Sequence, residues 1–180
     1  MGALLLLVLS LCTHAADLAG VHVADTATVG GKSLVLNGLG LREKYYIDIY
    51  VGALYLPAKT KVASSAITED VPKRISMSFI YSSVTKDQLA ESFHEGLAYQ
   101  GSKVAAVSAR VDQLCGMMVD LKSGDVVAFD YAPGTGTAVI VNGSVKGTIA
   151  GKDFMESLWT IYLGPNPPTE KLKTGMLGAS

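Results

Sequence analysis

The segment at residues 45–56 constrains the fold more than any other, because its whole length has the composition of a β-strand. Tyrosine, isoleucine and valine dominate it, and these residue types favour strands. The apolar residues of one parity are Ile47, Ile49, Val51 and Ala53, whereas the other parity is mixed and holds Tyr46, Asp48, Tyr50 and Gly52. A strand with one apolar and one mixed face is typical of an antiparallel sheet that packs one side on a core.

The rest of the chain supplies neighbours for this strand. Short apolar runs at residues 21–41 are divided by Gly-Gly and Asn-Gly pairs, which are typical of hairpins. Further strands are predicted at 74–81, 125–131, 137–141 and 145–149, and helices at 62–68, 103–117, 152–163 and 170–176, with one more that begins at 85 and has an apolar stripe through 89, 93 and 97. Thr85, followed by Gln88, suits the capping box of the second helix. Because tight turns join most strands and the helices come in blocks, the predicted fold class is α+β, an antiparallel sheet with helices packed against it.

The N-terminal residues differ from the rest. An apolar run at residues 3–11 is shorter than the ~20 residues that a helix needs to span a bilayer, and small residues at which a signal peptidase cuts follow it. No lysine or arginine precedes the run. We expect a signal peptide over residues 1–16, cleaved near Ala15 or Ala16, and one mature domain over 17–180; a buried N-terminal strand or helix is the alternative.

Composition excludes several classes of function. Fifteen basic and sixteen acidic residues give a net charge of -1, which is not the charge pattern of a nucleic-acid-binding protein. His22 and His94 have no companion ligands at metal-binding spacing, so neither a metal nor a cofactor is predicted. Cys115, the one cysteine left after cleavage, is interpreted as a small apolar residue of a helix.

Arg42 and Tyr50 are the strongest candidates for ligand binding. Arg42 supplies a planar, permanently charged donor suited to a carboxylate, and Tyr50 could add a hydroxyl from the mixed face of its strand. An arginine facing water and a tyrosine packed under a helix are the alternative. The two residues would be roughly 26 Å apart on one continuous strand, at ~3.3 Å per residue. They can share a ligand only if the chain turns between them, near Glu43 and Lys44.

Four segments together resemble the chalcone isomerase family, particularly its bacterial isomerase-like branch. They are Leu-Asn-Gly-Leu-Gly-Leu-Arg at 36–42 running into Tyr-Val-Gly-Ala-Leu-Tyr-Leu at 50–56; Pro-Lys-Arg-Ile-Ser-Met at 72–77; Phe-Asp-Tyr-Ala-Pro-Gly-Thr-Gly-Thr at 129–137 with Asn-Gly at 142–143; and Gly-Lys-Asp-Phe at 151–154 with the segment that ends at 173. The resemblance implies an open-faced β-sandwich, in which a helical layer covers one side of a large antiparallel sheet and a ligand cleft lies between them. With the leader, it implies export to the bacterial periplasm.

The resemblance also assigns roles to individual positions. The family contains isomerases, which close a flavanone ring, and non-catalytic members that bind fatty acids. Both kinds carry an arginine at the position of Arg42, and the fatty-acid binders carry a tyrosine at that of Tyr50. Where the isomerases have hydrogen-bonding side chains on two helices, this chain has Thr85, Ser92, Ile161 and Tyr162, which are further candidates for the cleft.

These departures favour binding over catalysis, because ring closure needs positioned polar groups whereas binding needs an apolar cleft with a few of them. The sequence therefore predicts a non-catalytic protein that binds a fatty acid or a similar amphipathic carboxylate. An isomerase or intramolecular lyase acting on an unidentified substrate is the second hypothesis. A protein-interaction module of the cell envelope is the third.

Overall fold

A computed structural model of the protein describes residues 15–179, which form two antiparallel sheets. The smaller sheet is the hairpin of β1 (Ala15–Leu18) and β2 (Val21–Ala24). The larger has seven strands, each hydrogen-bonded to the next along the chain: β3 (Thr26–Val29), β4 (Lys32–Lys44), β5 (Ile47–Leu56), β6 (Lys73–Phe79), β7 (Val126–Ala132), β8 (Gly136–Val141) and β9 (Ser144–Ile149). Residues 1–14, most of the predicted signal peptide, lie outside the described residues, and the predicted cleavage point falls at the start of β1.

Five helices connect and cover the strands: α1 (Ala63–Thr68), α2 (Lys86–Ala98), α3 (Lys103–Gly116), α4 (Lys152–Leu163) and α5 (Glu170–Met176). The predicted antiparallel sheet with a helical layer is confirmed. Thr85 caps α2 as predicted, since its side chain accepts a hydrogen bond from the backbone of Gln88 and the Gln88 side chain accepts one from Thr85. Within residues 15–179, no helix is long and apolar enough to cross a membrane.

The larger sheet buries apolar side chains on both of its faces. Tyr50, Leu54 and Leu56 of β5 belong to the main core, beneath α2, α3 and α4. The alternate residues Ala53 and Tyr55 belong to a second cluster, which the β1–β2 hairpin covers. The side chains of Tyr50, Leu54 and Leu56, which lie on the face that the sequence marked as mixed, therefore pack in the main core. Sequence alternation alone does not reveal this, because a covering hairpin makes both faces apolar.

Glycines on one face of β4 and β5 form a seat for α5. A Cβ atom at Gly38 would lie 2.2 Å from the carbonyl oxygen of Gly175, and one at Gly40 would lie 2.0 Å from that of Leu172. A Cβ atom at Gly52 would meet the Leu172 side chain at 2.7 Å. The glycine pair before Arg42 is thus explained by close packing of a helix backbone on a strand.

A β-bulge at Asn37 sets which residues of β4 face this helix. The register shifts between Leu36 and Gly38, so that Leu36 and Leu39 both pack into the second cluster although their positions differ in parity. The Asn37 amide donates to the carbonyl of Met176 at 2.8 Å, and its oxygen accepts from the Thr60 backbone at 2.7 Å. Beyond the bulge, Gly38, Gly40 and Arg42 all point to the helical side.

We predict that Gly40→Ala lowers the free energy of unfolding by about 3 kcal/mol, because the new methyl group would overlap the backbone of α5. Gly116→Ala is the matched control, since Gly116 ends α3 with open space around it. Chemical denaturation of both variants measures the difference. Equal unfolding free energies would contradict the account of the glycine seat.

The turn between β4 and β5 differs from the other two-residue hairpins of the described chain. Four hairpins of the described residues have two-residue turns, and in each of them both turn residues have positive φ. This conformation favours Asn-Gly or Gly-Gly. Glycine holds the second position in three of them: Ala19-Gly20, Gly30-Gly31 and Asn142-Gly143. The fourth has Tyr45 at φ 52° and Tyr46 at φ 65°. Both tyrosines are exposed, and apart from the Lys44 ammonium 5.9 Å from the Tyr45 ring, little packing compensates their backbone strain.

We predict that Tyr46→Gly raises the free energy of unfolding by about 1 kcal/mol, because glycine adopts this φ without a steric cost. The matched control is Gly143→Tyr, at a turn of the same kind with open space around it, and this variant should lose a similar amount. Thermal and urea unfolding check both values. A gain in stability from Gly143→Tyr would refute the strain argument.

Candidate ligand-binding site

One cavity of about 590 Å³ lies between the helical face of the sheet, α2 and the end of α4. This volume is within the ~300–1,000 Å³ that small-molecule sites commonly have. Apolar side chains form a large part of the lining, namely Ile47, Ile49, Met77, Phe79, Val84, Leu89, Phe93 and Ile161. Arg42, Tyr50, Ser92 and Tyr162 also line it, together with residues of the loop that follows α4. Charged and polar side chains form much of the rest of the lining, including Lys44, Gln88, Glu91, Glu95 and Asn166, so the cavity combines an apolar part with a polar one.

The β4–β5 hairpin brings Arg42 and Tyr50 together. The chain turns at Tyr45 and Tyr46, one residue beyond the expected position, and Arg42 is paired directly with Tyr50 across the two strands. Side chains of directly paired residues lie on the same face, with Cβ atoms about 5 Å apart. Tyr50 is paired in turn with Phe79 of β6, and their rings are 5.3 Å apart. The three residues form a row across the floor of the cavity.

One nitrogen of the half-buried Arg42 guanidinium is engaged by the protein. Its Nη1 donates to the Pro168 carbonyl at 2.5 Å and to the Glu43 carbonyl at 3.3 Å. Within the described part of the chain, Nε and Nη2 make no hydrogen bond and no carboxylate pairs with this arginine. Since a guanidinium carries five N–H donors in a planar fork, the remaining donors are free to bind a carboxylate.

Two buried tyrosines beside Arg42 stay protonated. Burial raises the pKa of Tyr50, although the nearby Arg42 charge partly opposes the rise. Burial likewise raises the pKa of Tyr162 well above its ordinary value, and its hydroxyl lies 3.3 Å from the Met77 sulfur. The Tyr50 hydroxyl has no partner among the described residues. Tyr50 can therefore donate a hydrogen bond to a ligand, and neither tyrosine is available as a phenolate base near neutral pH.

The other sequence candidates divide between the cavity and its surroundings. Ser92, Ile161 and Tyr162 line the cavity, whereas Thr85 does not: its hydroxyl caps α2. Sequence reasoning missed the Pro168 carbonyl, which holds the guanidinium, and the contribution of Met77 and Phe79 to the floor. The alternation of the predicted strand at 74–81 placed these two side chains on the buried face, but no sequence signal assigned them to a cavity.

In the part of the chain that the structure describes, no group of three or more histidine, cysteine, aspartate or glutamate side chains is arranged to hold a metal ion. His94 lies 3.3 Å from Asp112 and 3.8 Å from the Cys115 sulfur, on the outer side of α2 and α3. Burial and Asp112 raise the pKa of Cys115, so this thiol is not activated as a nucleophile.

Comparison with known proteins identifies the family. A family model described as chalcone isomerase-like matches residues 15–178. The chain belongs to the chalcone isomerase-like family. Among solved structures, this chalcone isomerase-like chain is similar to a fatty-acid binding protein from Arabidopsis thaliana, with a TM-score of 0.74 and 15% sequence identity over 91% of this chain and 96% of the other. No curated protein sequence shows significant similarity to it. At this identity, the structural similarity establishes the fold that the two proteins share.

Proposed function

We propose that this chalcone isomerase-like protein is a non-catalytic binder of a fatty acid or a similar amphipathic carboxylate. The observation that carries the proposal is the pairing of Arg42, with unused donors, and Tyr50, with an unpartnered hydroxyl, on the floor of a cavity with many apolar lining residues. A carboxylate would accept hydrogen bonds from both side chains. The alkyl chain would lie against the apolar lining, where its removal from water favours binding.

The charge around the cavity supports one orientation of the ligand. Arg42 is on the sheet, whereas Glu91 and Glu95, which also line the cavity, are exposed residues of α2. Like charges repel, so a ligand carboxylate is disfavoured beside α2 and favoured beside Arg42. The ligand would thus place its acid group between Arg42 and Tyr50 and extend its tail towards Leu89 and Phe93.

Three of the four positions that distinguish this chain from the isomerases support binding without catalysis. Ile161 offers no hydrogen bond, Thr85 lies outside the lining, and the Tyr162 hydroxyl stays protonated against a sulfur. Acid–base chemistry needs a group whose pKa lies near the working pH and which reaches the reacting atom. The two buried tyrosines have raised pKa values and do not meet this requirement.

We further propose that the protein is exported in a bacterium and that the leader is removed at Ala15 or Ala16. The family match begins at residue 15, so cleavage there leaves the matched region nearly whole. Sequencing the N-terminus of the protein recovered from the periplasmic fraction tests this proposal. A mature chain that still begins at Met1 would overturn it.

We predict that Arg42→Ala weakens fatty-acid binding by about tenfold to a hundredfold, because it removes the charged partner of the carboxylate. Tyr50→Phe should weaken binding by about three- to tenfold while preserving the ring packing on Phe79. Isothermal titration with palmitate or oleate gives the affinities, and mass spectrometry of an organic extract identifies any lipid that copurifies.

The matched control for Arg42 is Arg110→Ala. Arg110 forms an ion pair with Asp153 at 2.5 Å and does not line the cavity, so this variant should retain the affinity. Circular dichroism verifies that each variant is folded. Equal affinities of the wild type and Arg42→Ala, or a wild type that neither binds nor copurifies with a lipid, would overturn the proposed function.

The affinity should be constant from about pH 6 to pH 9, because an arginine side chain is permanently charged in proteins and burial keeps the Tyr50 hydroxyl neutral across this range. Below about pH 5 the ligand carboxyl becomes protonated, and the affinity of the wild type should fall towards that of Arg42→Ala. Titrations at a series of pH values measure both curves. A drop in affinity between pH 7 and pH 9 would instead indicate a titrating group in the site.

A further inference from the structure

Exposed aromatic and apolar side chains are concentrated around the entrance of the cavity. The described chain has nine exposed large hydrophobic side chains, and four of them, Tyr45, Ile47, Tyr81 and Tyr99, also line the cavity. A fifth, Tyr46, is next to Tyr45 at the tip of the β4–β5 hairpin and is fully exposed. Single exposed apolar residues are ordinary on a protein surface, but their grouping at one opening marks a site of interaction.

The backbone conformation of the hairpin tip indicates that Tyr45 and Tyr46 do not stabilise the fold. Tyr45 and Tyr46 both have positive φ, and the second of these positions is glycine in the other three hairpins. The two side chains are 84% and 102% exposed, so they contribute little packing within the chain. A residue pair that strains its turn and contacts little else points to a role outside the folded molecule.

The chemistry of the tip fits the surface of a lipid bilayer. Tyrosine combines an apolar ring with a polar hydroxyl and is enriched at the boundary between headgroups and acyl chains. The charges beside the turn cancel, since Glu43 and Asp48 are balanced by Lys44 and by Lys171, which pairs with Glu43 at 2.8 Å. A neutral, aromatic tip complements a zwitterionic membrane rather than a strongly anionic one.

We infer that the tip formed by Tyr45, Tyr46 and Ile47 docks on a zwitterionic bilayer and places the cavity opening at its surface. This inference rests on the proposed binding of a fatty acid, because such a ligand partitions into membranes and would enter the cavity from there. Tyr45 and Ile47 belong to both the tip and the lining, so the docking surface is continuous with the ligand path. Tyr46 belongs to the tip alone.

The test measures flotation of the protein with phosphatidylcholine vesicles, together with the rate at which a fluorescent fatty acid moves from vesicles to the protein. The wild type should float with the vesicles, in low and in high salt, and its transfer rate should rise with vesicle concentration. Tyr46→Gly and Tyr46→Ser should lower the vesicle partition coefficient by about tenfold. The matched control is Val145→Ser, which removes a 65% exposed side chain beside the β8–β9 turn and should float like the wild type.

Each outcome separates docking from ligand binding. Affinity for fatty acid added without vesicles should be unchanged in Tyr46→Gly, because Tyr46 does not line the cavity. A wild type that binds fatty acid but does not float, or that floats equally with either Tyr46 variant, overturns the docking inference and leaves the proposed function standing. Wild-type self-association that Tyr46→Gly abolishes, without flotation, overturns it in favour of a contact between copies. Flotation lost in the Tyr46 variants, in a protein without fatty-acid affinity, supports docking and removes only the proposed function.

Discussion

The close packing of α5 on the glycines of β4 is the contact on which the candidate site depends. Gly38 and Gly40 admit the helix backbone to distances that no side chain would tolerate. This contact places the start of α5, and Pro168 two residues before it, beside the end of β4, where the Pro168 carbonyl accepts a hydrogen bond from Arg42. The Lys171–Glu43 ion pair joins the same two elements at the surface. The glycine pair before Arg42 is therefore structural, and it acts on the site by orienting the arginine.

Within the described residues, the Nη1 atom of Arg42 is hydrogen-bonded to the protein, while Nε and Nη2 are available to a ligand. A fully exposed arginine would lose side-chain entropy on binding an acid, whereas one with all donors engaged would have nothing to offer. The Pro168 carbonyl restricts the side chain and leaves its charge uncompensated by any carboxylate of the described residues. Tyr50 adds a neutral donor whose protonation is secured by burial. The arrangement favours an anionic ligand group and gives it a defined position.

Much of the fold could be predicted from the sequence, because local signals were strong. The predicted bounds of α4 and α5 coincide with those observed, and hairpin turns at Gly30-Gly31 and Asn142-Gly143 followed from turn chemistry. The same rule was wrong for the Asn-Gly pair at 37–38, which lies at the bulge inside β4, where α5 packs on the glycine. The pairing of Arg42 with Tyr50 was harder to predict from the sequence, because Tyr45 and Tyr46 are not residues that a tight turn favours. The buried role of the mixed face of β5 was not predicted either, since it depends on β1 and β2 covering the opposite side. The Pro168 contact depends on residues 126 positions apart and leaves no local signature.

The bulge at Asn37 allows the length of β4 to change without turning the strand over. A bulge holds one residue that has no partner on the neighbouring strand, so removing Asn37 would leave Leu36 and Gly38 opposite Tyr55 and Leu54 in an uninterrupted ladder, with Arg42 still opposite Tyr50. The deletion would remove the side chain that joins β4 to the carbonyl of Met176 and to the backbone of Thr60. Relatives with this architecture could therefore gain or lose this residue, at a cost in the attachment of α5, while the arginine kept its place in the cavity.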